Sequence, residues 1–489
     1  MTALAAPAAP VTAMPAAART SRLAWLRERG MGATILVSAI STAFGVILLS
    51  ATGYLSNALG SNPEYGASGT MTLVLMLLSG ILLAVAVYVA AIVTANTFST
   101  IIAGRTRRIA LLRLIGATAR SQRTEVARQG LIVGAIGAVL GLVVTTILML
   151  VAVPFLDRAL GVTAAWSPVQ PSLLVPTVAV ALTTWIAACS GSRRVLTVTP
   201  LEALGGSVER SREEIAEGRG RKAAAIVLGV IGAVLLVGGL LLGLLSPIGV
   251  LVAFFGGLFS FTAVSLSAVS IMPPLLKVTG RFFGKSVTAR LAAENAVRYP
   301  ERSSRMAIGV VMGVALVVMF AVAAESAKAL VTASGGGEPD PAFNEMMDVF
   351  STVMMCLVAV SAVIAAVGLV NLLTIGIVQR KRELGLLRAL GLTSAQIRRM
   401  VLIEAAHVTI TALLFGLTLG VLYGWVAAQS LLGSVAVPPL WMSPTFVAPA
   451  IPLLPVAIVI VATAALTLGA AVAPTRIATR TAPVEALSE

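Results

Sequence analysis

The chain has 489 residues, of which 58% are hydrophobic and only 11% are charged, and its formal net charge is +15. Soluble domains carry about a quarter of their residues as charged side chains, so this composition excludes an ordinary soluble protein. Several apolar runs exceed the roughly 20 residues that a helix needs to cross a hydrocarbon core. No run shows the alternating pattern of a membrane strand. We therefore predict an all-α polytopic membrane protein.

The first 20 residues are rich in Ala and Pro, and we expect a disordered cytoplasmic tail without a cleaved signal peptide. Downstream, hydropathy predicts ten transmembrane helices, two of which are long enough to tilt or to continue into the cytoplasm. The predicted spans are 33–56, 71–98, 129–153, 172–190, 223–245, 249–274, 306–327, 347–378, 400–430 and 448–473.

The basic residues are unevenly distributed between the predicted loops. With both termini placed in the cytoplasm, 33 of the 35 Lys and Arg residues are cytoplasmic, and Arg158 and Lys328 are the exceptions. This bias supports the orientation and the even number of spans. It also accounts for the net positive charge through membrane topology, so the charge does not indicate nucleic-acid binding. The predicted external loops are too short to form a domain, and the Ala- and Arg-rich composition favours a bacterial cytoplasmic membrane.

An internal repeat organises the sequence. LLRLIGAT at 111–118 recurs as LLRALGLT at 386–393, an offset of 275, and VTPLEAL at 198–204 recurs as TAPVEAL at 481–487. Two parallel four-helix repeats, related by a pseudo-twofold axis along the membrane normal, would follow. The predicted divisions are a tail (1–20), a first repeat (21–205), a linker with two linking helices, spans five and six (206–288), and a second repeat (289–489).

The repeated segment has a defined local chemistry. Leu384, Leu387 and Leu390 form an apolar stripe on a predicted helix that starts near Arg380. Gly391 can end that helix in a left-handed conformation, and Thr393 then caps a new helix with Gln396 as its capping-box partner. One interpretation is an interfacial helix whose arginines bind anionic lipid headgroups. Its recurrence in register favours a rigid docking element, for a partner with matching symmetry.

Polar residues within the spans are few. Asn96 and Asn371 occupy equivalent positions, and interhelical hydrogen bonds that fix the geometry of their spans are the simplest interpretation. Glu404 and His407 are three residues apart. They do not form a metal site by themselves, and we expect Glu404 to pair with an arginine, with a proton relay as the alternative. Recurring glycines, Gly137-xxx-Gly141 and Gly416-xxx-Gly420-xxx-Gly424, predict close helix packing.

Hydrolytic chemistry is missing from the sequence. The chain has no phosphate-binding loop of the G-x-x-x-x-G-K-[ST] type, no HExxH motif and a single histidine. We therefore expect no catalytic residue, no metal and no bound cofactor in this chain.

The segment QRKRELGLLRALGLTSAQIRRMVLIEA resembles the signature of FtsX-like ABC transporter permeases, of the MacB/FtsX superfamily. ENAVRYPERSSRMA at 294–307 and the PLEAL and PVEAL endings are also similar to this family. The resemblance covers roughly residues 20–205 and 289–488. It implies that residues 105–117 and 380–392, which we call the first and second coupling segments, each dock on one copy of a separate ABC ATPase that binds ATP and Mg. The implied coupling residues are Arg105, Arg107, Arg108, Leu111, Leu112, Arg113, Gly116, Arg380, Arg382, Glu383, Leu384, Leu387, Arg388 and Gly391.

The resemblance implies the transport subunit of an ATP-driven exporter for a hydrophobic or amphipathic compound. The chain departs from the family because the loops 57–70 and 329–346 are short where relatives carry external domains. The alternatives are a permease that drives a partner protein without moving cargo, for which spans five and six would offer a membrane contact, and a secondary transporter, which the scarcity of buried carboxylates disfavours.

Overall fold

The computed structural model describes residues 31–60, seven positions between 77 and 88, 118–160, 167, 169–192, 219–282, 286–298, 300–334, 386–387, 390–434 and 445–480. The fold in these ranges is helical. The helices are α1 (Met31–Gly60), α2 (Ala119–Leu160), α3 (Leu174–Ser192), α4 (Arg219–Gly243), α5 (Gly249–Gly280), α6 (Val287–Arg298), α7 (Pro300–Ser334), α8 (Ser394–Leu432) and α9 (Leu453–Arg480).

Eight of the ten predicted spans coincide with helices in the described ranges. Within those ranges, six helices are long and apolar enough to cross a membrane, and two shorter apolar stretches lie at Thr34–Ile47 in α1 and Leu453–Thr467 in α9. The predicted spans 71–98 and 347–378 lie mostly or wholly outside the described residues, so the count of ten stays a prediction.

Several helix ends differ from the prediction, and prolines explain two of them. The last span was expected to begin at 448, but α9 begins at Leu453 because Pro452 holds the preceding residue in an extended conformation. The sixth span was expected to end at 274, but α5 continues through Pro273 and Pro274 to Gly280. The Ser304 hydroxyl of α7 donates to the Ala268 carbonyl at 3.0 Å, one turn before these prolines. This bond lies where α5 packs against α7, and a neighbouring helix supports prolines inside a membrane helix.

The two halves of the chain share a packing scheme. In the first half α1 packs against α2, and α2 packs against α3; in the second half α7 packs against α8, and α8 packs against α9. Glycines make both α1–α2 and α7–α8 close, as predicted. A Cβ atom on Gly137 would strike Ser38 and the Ile35 carbonyl of α1, and a Cβ on Gly420 would strike Val318 and the Ala315 carbonyl of α7.

The helices α4 and α5 form a pair that we call the central hairpin. A tight turn at 244–248 joins them, and Gly232 and Gly239 of α4 lie directly against Ser260 and Ala253 of α5. The hairpin packs on α8 of the second half through both of its helices, and α5 also packs against α7. The opposite face of α4 is covered with exposed apolar side chains such as Val230 and Val234, as expected for a lipid-facing surface.

An extended stretch, 445–452, precedes α9 and folds over one end of α8; we call it the outer segment. The buried amide of Gln429 donates to the Thr445 carbonyl at 2.9 Å and accepts from the Val447 amide at 2.7 Å. Trp425 donates from its indole nitrogen to the Val447 carbonyl at 2.9 Å. Ser326 of α7 accepts from the Ala450 amide at 3.0 Å. These bonds fasten the outer segment to two helices of the second half.

Candidate functional site

The second coupling segment ends in a sharp corner whose backbone the structure describes. Gly391 has φ +100°, a left-handed conformation that favours glycine because it has no side chain. The Leu392 amide donates to the Leu387 carbonyl at 3.1 Å, which closes the preceding turn. The prediction that Gly391 ends the helix in a left-handed conformation is confirmed.

Thr393 starts the next helix with a complete capping box. Its hydroxyl accepts from the Gln396 amide at 3.2 Å, and the Gln396 side chain accepts from the Thr393 amide at 2.8 Å. The reciprocal bonds satisfy two donors that a helix start leaves open. This pairing was predicted from the sequence and is confirmed. The capped helix α8 runs without a break through Arg398 and Arg399 to Leu432, so the corner is continuous with a full membrane-crossing helix.

The leucines of this segment point to opposite sides. Leu387 and Leu392 pack against a small buried cluster formed by Ala292 of α6 and by Ile397, Met400 and Val401 of α8. Leu386 and Leu390 are 51% and 72% exposed. The predicted stripe of Leu384, Leu387 and Leu390 is therefore divided: Leu387 anchors the segment on α6 and α8, and Leu390 is presented outward. Leu384 lies outside the described residues.

The short helix α6 supports this corner from the other side. Its buried face carries Thr288, Ala289, Ala292 and Ala296, and this face packs against α8. Ser303, at the start of α7, donates to the Ala296 carbonyl at 2.7 Å and so ties the end of α6 to the next span. Helix α6 thus joins the corner, through Ala292, to the start of α7, through Ala296.

The first coupling segment lies outside the described residues, which resume directly after it at Thr118. The Thr118 hydroxyl accepts from the Ser121 amide at 3.2 Å and caps α2. Ser121 stands where the second copy has Gln396, so the reciprocal bond has no counterpart there. The capping box of the first copy is therefore incomplete among the described residues.

Other predicted site residues lie outside the described residues, and their coupling or structural roles stay predictions. They are Asn96, Arg105, Arg107, Arg108, Leu111, Leu112, Arg113, Gly116, Asn371, Arg380, Arg382, Glu383 and Arg388.

His407 contacts the central hairpin. The ring is fully buried, and Nε2 lies 2.8 Å from the Leu276 carbonyl and 3.0 Å from the Thr279 hydroxyl in the last turn of α5. A carbonyl only accepts, so Nε2 carries a proton and donates it to Leu276. Thr279 is also 2.6 Å from the Thr411 hydroxyl, which donates to the His407 carbonyl. His407 therefore acts as an interhelical contact, and Glu404 beside it is buried.

Sequence reasoning missed three polar side chains that join separate parts of the fold: Tyr88, Tyr423 and Gln429. The Tyr88 hydroxyl lies 2.8 Å from the Thr262 hydroxyl of α5, and the Tyr423 hydroxyl lies 2.9 Å from the Ser260 hydroxyl of the same helix. Their positions inside predicted apolar spans could have identified them, because a tyrosine or glutamine there needs a hydrogen-bond partner.

Comparison with known families identifies two matching regions. The family described as "FtsX-like permease C-terminal" matches residues 80–200 and again residues 355–483, together just over half of the chain. The chain belongs to the FtsX-like permease family. The starts of the two regions differ by the offset that relates LLRLIGAT to LLRALGLT, and their ends differ by the offset that relates the PLEAL and PVEAL endings. A twofold match at these offsets supports the repeat in the sequence of this permease.

A curated relative gives the same family assignment. The permease is 30% identical over 95 residues to a Bacillus subtilis (strain 168) protein described as "ABC transporter permease YtrF". The alignment covers 19% of this chain and 20% of that relative. The chain therefore matches about a fifth of the relative's length, and the relative supports an ABC permease without assigning cargo or direction.

Proposed function

We propose that this chain is the membrane subunit of an ABC exporter, in which two copies of a separate ATPase subunit bind the two coupling segments. ATP and Mg would be held by the ATPase subunits and not by this chain. Closure of the ATPase pair on ATP would draw the coupling segments together, and the spans attached to them would open a path for cargo.

The observation that carries this proposal is the geometry of the second coupling segment. Leu386 and Leu390 are exposed apolar side chains beside a corner that Gly391 and the Thr393–Gln396 box hold in place. Exposed leucines on a preorganised element suit a protein contact because less entropy is lost on binding. The corner continues into α8, so a displacement there would pass directly into the membrane.

The predicted arrangement of ten spans, with both termini in the cytoplasm of a bacterium, places both coupling segments on the ATP-containing side. We further propose that the two repeats are related by a pseudo-twofold axis along the membrane normal. The similar packing of Gly141 on α1 and Gly416 on α7 supports this symmetry. Two equivalent segments would then accept two equivalent ATPase subunits.

The buried polar chemistry supports a neutral, hydrophobic or amphipathic cargo. Among the described residues, the buried polar side chains are largely hydroxyls of Ser and Thr, and Glu404 is the one buried carboxylate. An ion or strongly charged solute would need compensating charges in a medium of low dielectric constant. A lipid, an apolar peptide or a drug-like compound would not.

The proposal is tested by co-expressing the chain with an ABC ATPase encoded by a neighbouring gene and reconstituting the pair in nanodiscs. We expect two ATPase subunits per permease chain and ATP hydrolysis that rises when an amphipathic compound is added. Stable association without any compound that stimulates hydrolysis, together with co-purification of a membrane kinase or an external hydrolase, would favour a permease that drives a partner without moving cargo. Failure to associate would contradict both functions.

A further inference from the structure

The central hairpin belongs to neither repeat, yet it is attached to the second half along α8 from His407 to Ser430. Three kinds of contact make this attachment: close backbone packing, a hydroxyl pair and a buried histidine. At the C-terminal end of α8, Gly243 packs against the backbone of Ser430. Further back along α8, Tyr423 bonds to the Ser260 hydroxyl. His407 then bonds to Leu276 and Thr279. Because the contacts are spread along one helix, we expect the hairpin to move with the second half.

The hairpin meets the first half at Tyr88. The Thr262 hydroxyl already donates to the Leu258 carbonyl of its own helix at 2.7 Å, so it can only accept from Tyr88. Tyr88 therefore donates across the 2.8 Å contact. Its ring also meets the Phe261 ring edge-on, with centroids 6.3 Å apart and an interplanar angle of 83°. The Tyr88 hydroxyl also lies 3.3 Å from the Leu258 carbonyl, so the tyrosine makes two polar contacts and one aromatic contact to α5.

Tyr423 offers a chemically matched contact two residues away on α5. The Ser260 hydroxyl donates to the Gly257 carbonyl at 3.1 Å, so Tyr423 donates to Ser260. The two tyrosines therefore make the same kind of bond to the same helix. They differ in what they join: Tyr423 joins the hairpin to the second half, and Tyr88 joins it to the first.

The position of Tyr88 in the chain links its contact to the first coupling segment. It lies in the predicted second span, 71–98, which leads directly to the first coupling segment. The equivalent position in the second repeat, at the offset that aligns the two coupling segments, is Val363, which has no hydroxyl to donate. The bond is therefore peculiar to the first repeat and cannot be a feature that both repeats need for packing.

We propose that the Tyr88–Thr262 hydrogen bond is a releasable tie between the first coupling segment's span and the hairpin. The inference rests on the proposed function, because it assigns the tie to the resting state of an ATP-driven permease. Before ATP binds, the tie adds a hydrogen bond to the apolar cluster in which Phe44 and Val85 of the first half lie with Phe261 of α5. Movement of the first coupling segment on ATP binding pulls the second span away and breaks it. The Tyr423–Ser260 bond, inside the unit of hairpin and second half, stays closed throughout.

The first test compares Tyr88→Phe with Tyr423→Phe in the permease–ATPase complex. Each variant keeps its ring and loses one donated hydrogen bond. Losing the tie destabilises the resting state, so Tyr88→Phe should raise basal ATP hydrolysis about threefold, the factor that corresponds to an average interhelical hydrogen bond. Tyr423→Phe should leave basal hydrolysis unchanged and lower the melting temperature. Unchanged hydrolysis in Tyr88→Phe, or an equal rise in both variants, would overturn the tie.

The second test measures movement directly. Cys189 and Cys356 are first replaced by Ser, and cysteine pairs are placed at 88 with 262 and at 423 with 260 for a bifunctional thiol reagent. Trapping the complex with ATP and vanadate should lower cross-linking of the first pair at least about threefold and leave the second pair unchanged. If the complex hydrolyses ATP but neither cross-linking yield changes, the tie is overturned and the proposed function is not. A chain that does not bind the ATPase contradicts both.

Discussion

Gly141 and Gly416, which occupy equivalent positions in the two sequence repeats, lie against equivalent places on two different helices. A Cβ on Gly141 would meet the Ala39 carbonyl and Thr42 of α1, and a Cβ on Gly416 would meet the Val311 carbonyl and Val314 of α7. In both cases the second contact is three residues after the first, so the glycine lies over one turn of its neighbour. The two halves of the permease thus share a packing interface as well as a sequence motif.

This interface predicts a sharp response to added volume. Gly420→Ala would place a Cβ 2.7 Å from Cβ of Val318 and 2.8 Å from the Ala315 carbonyl, so the two helices must separate. We expect a loss of about 1–3 kcal/mol in the free energy of unfolding, measured by thermal denaturation in detergent. Gly238→Ala is the matched control, since nothing lies within 4 Å of the added atom. Equal losses at both positions would contradict the packing.

The two interfaces differ in the chemistry at equivalent positions. Thr42 of α1 has a buried hydroxyl with no hydrogen-bond partner among the described residues, and Val314 is its counterpart on α7. An unpaired buried hydroxyl costs about 1–3 kcal/mol. We therefore predict that Thr42→Val raises the free energy of unfolding by about 1 kcal/mol and that Val314→Thr lowers it by a similar amount. Thermal denaturation of both variants measures these changes, and a loss of stability in Thr42→Val would show that the hydroxyl has a partner.

The corner of the second coupling segment predicts an effect on coupling. No atom lies within 4 Å of a Cβ on Gly391, so Gly391→Ala is penalised by its left-handed backbone alone, at about 1 kcal/mol. We expect compound-stimulated ATP hydrolysis to fall several-fold while the permease remains folded. Gly309→Ala, in α7 with equally open space and no left-handed backbone, should leave stimulation unchanged. If stimulation survives in Gly391→Ala, the corner does not transmit force.

Gln429 predicts a local effect at the other end of α8. Its side-chain amide donates to the Thr445 carbonyl and accepts from the Val447 amide, as the backbone of a neighbouring strand would. Gln429→Leu should lower the protection of the Val447 amide against hydrogen exchange by about tenfold, because a bond of about 1 kcal/mol or more is lost. Thr418→Val is the control, since Thr418 donates within its own helix on the exposed side. Retained protection at Val447 in Gln429→Leu would show that other contacts hold the outer segment.

The sequence predicted local geometry better than long-range contacts. Gly391, Thr393 and Gln396 were assigned correctly because a left-handed corner and a capping box depend on residues within one turn of each other. The glycine motifs were also assigned correctly, since small residues at this spacing permit close packing whatever the partner. The predicted span bounds near Pro273 and Pro452 differ from the helix ends by a few residues, because proline acts differently inside a packed membrane helix and before a helix start.

The sequence alone could not predict the hydrogen-bond partners of His407. They lie on α5, far earlier in the chain, and the repeat gives no guide because the hairpin occurs once. The separate roles of Leu387 and Leu390 were also unpredictable, since helical spacing places them on one stripe. The side of the segment that faces inward depends on α6, whose buried Ala292 accepts Leu387.

The central claim is that the two coupling segments bind ATPase subunits through outward-facing side chains. It is tested most directly by a photo-cross-linking amino acid placed singly at Leu386 and Leu390, at their counterparts Leu111 and Ile115, and at the inward-facing Leu392. We predict cross-links to the ATPase from the first four positions and none from Leu392. Cross-links from Leu392 alone, or from none of the five positions in a complex that hydrolyses ATP, would contradict the claim.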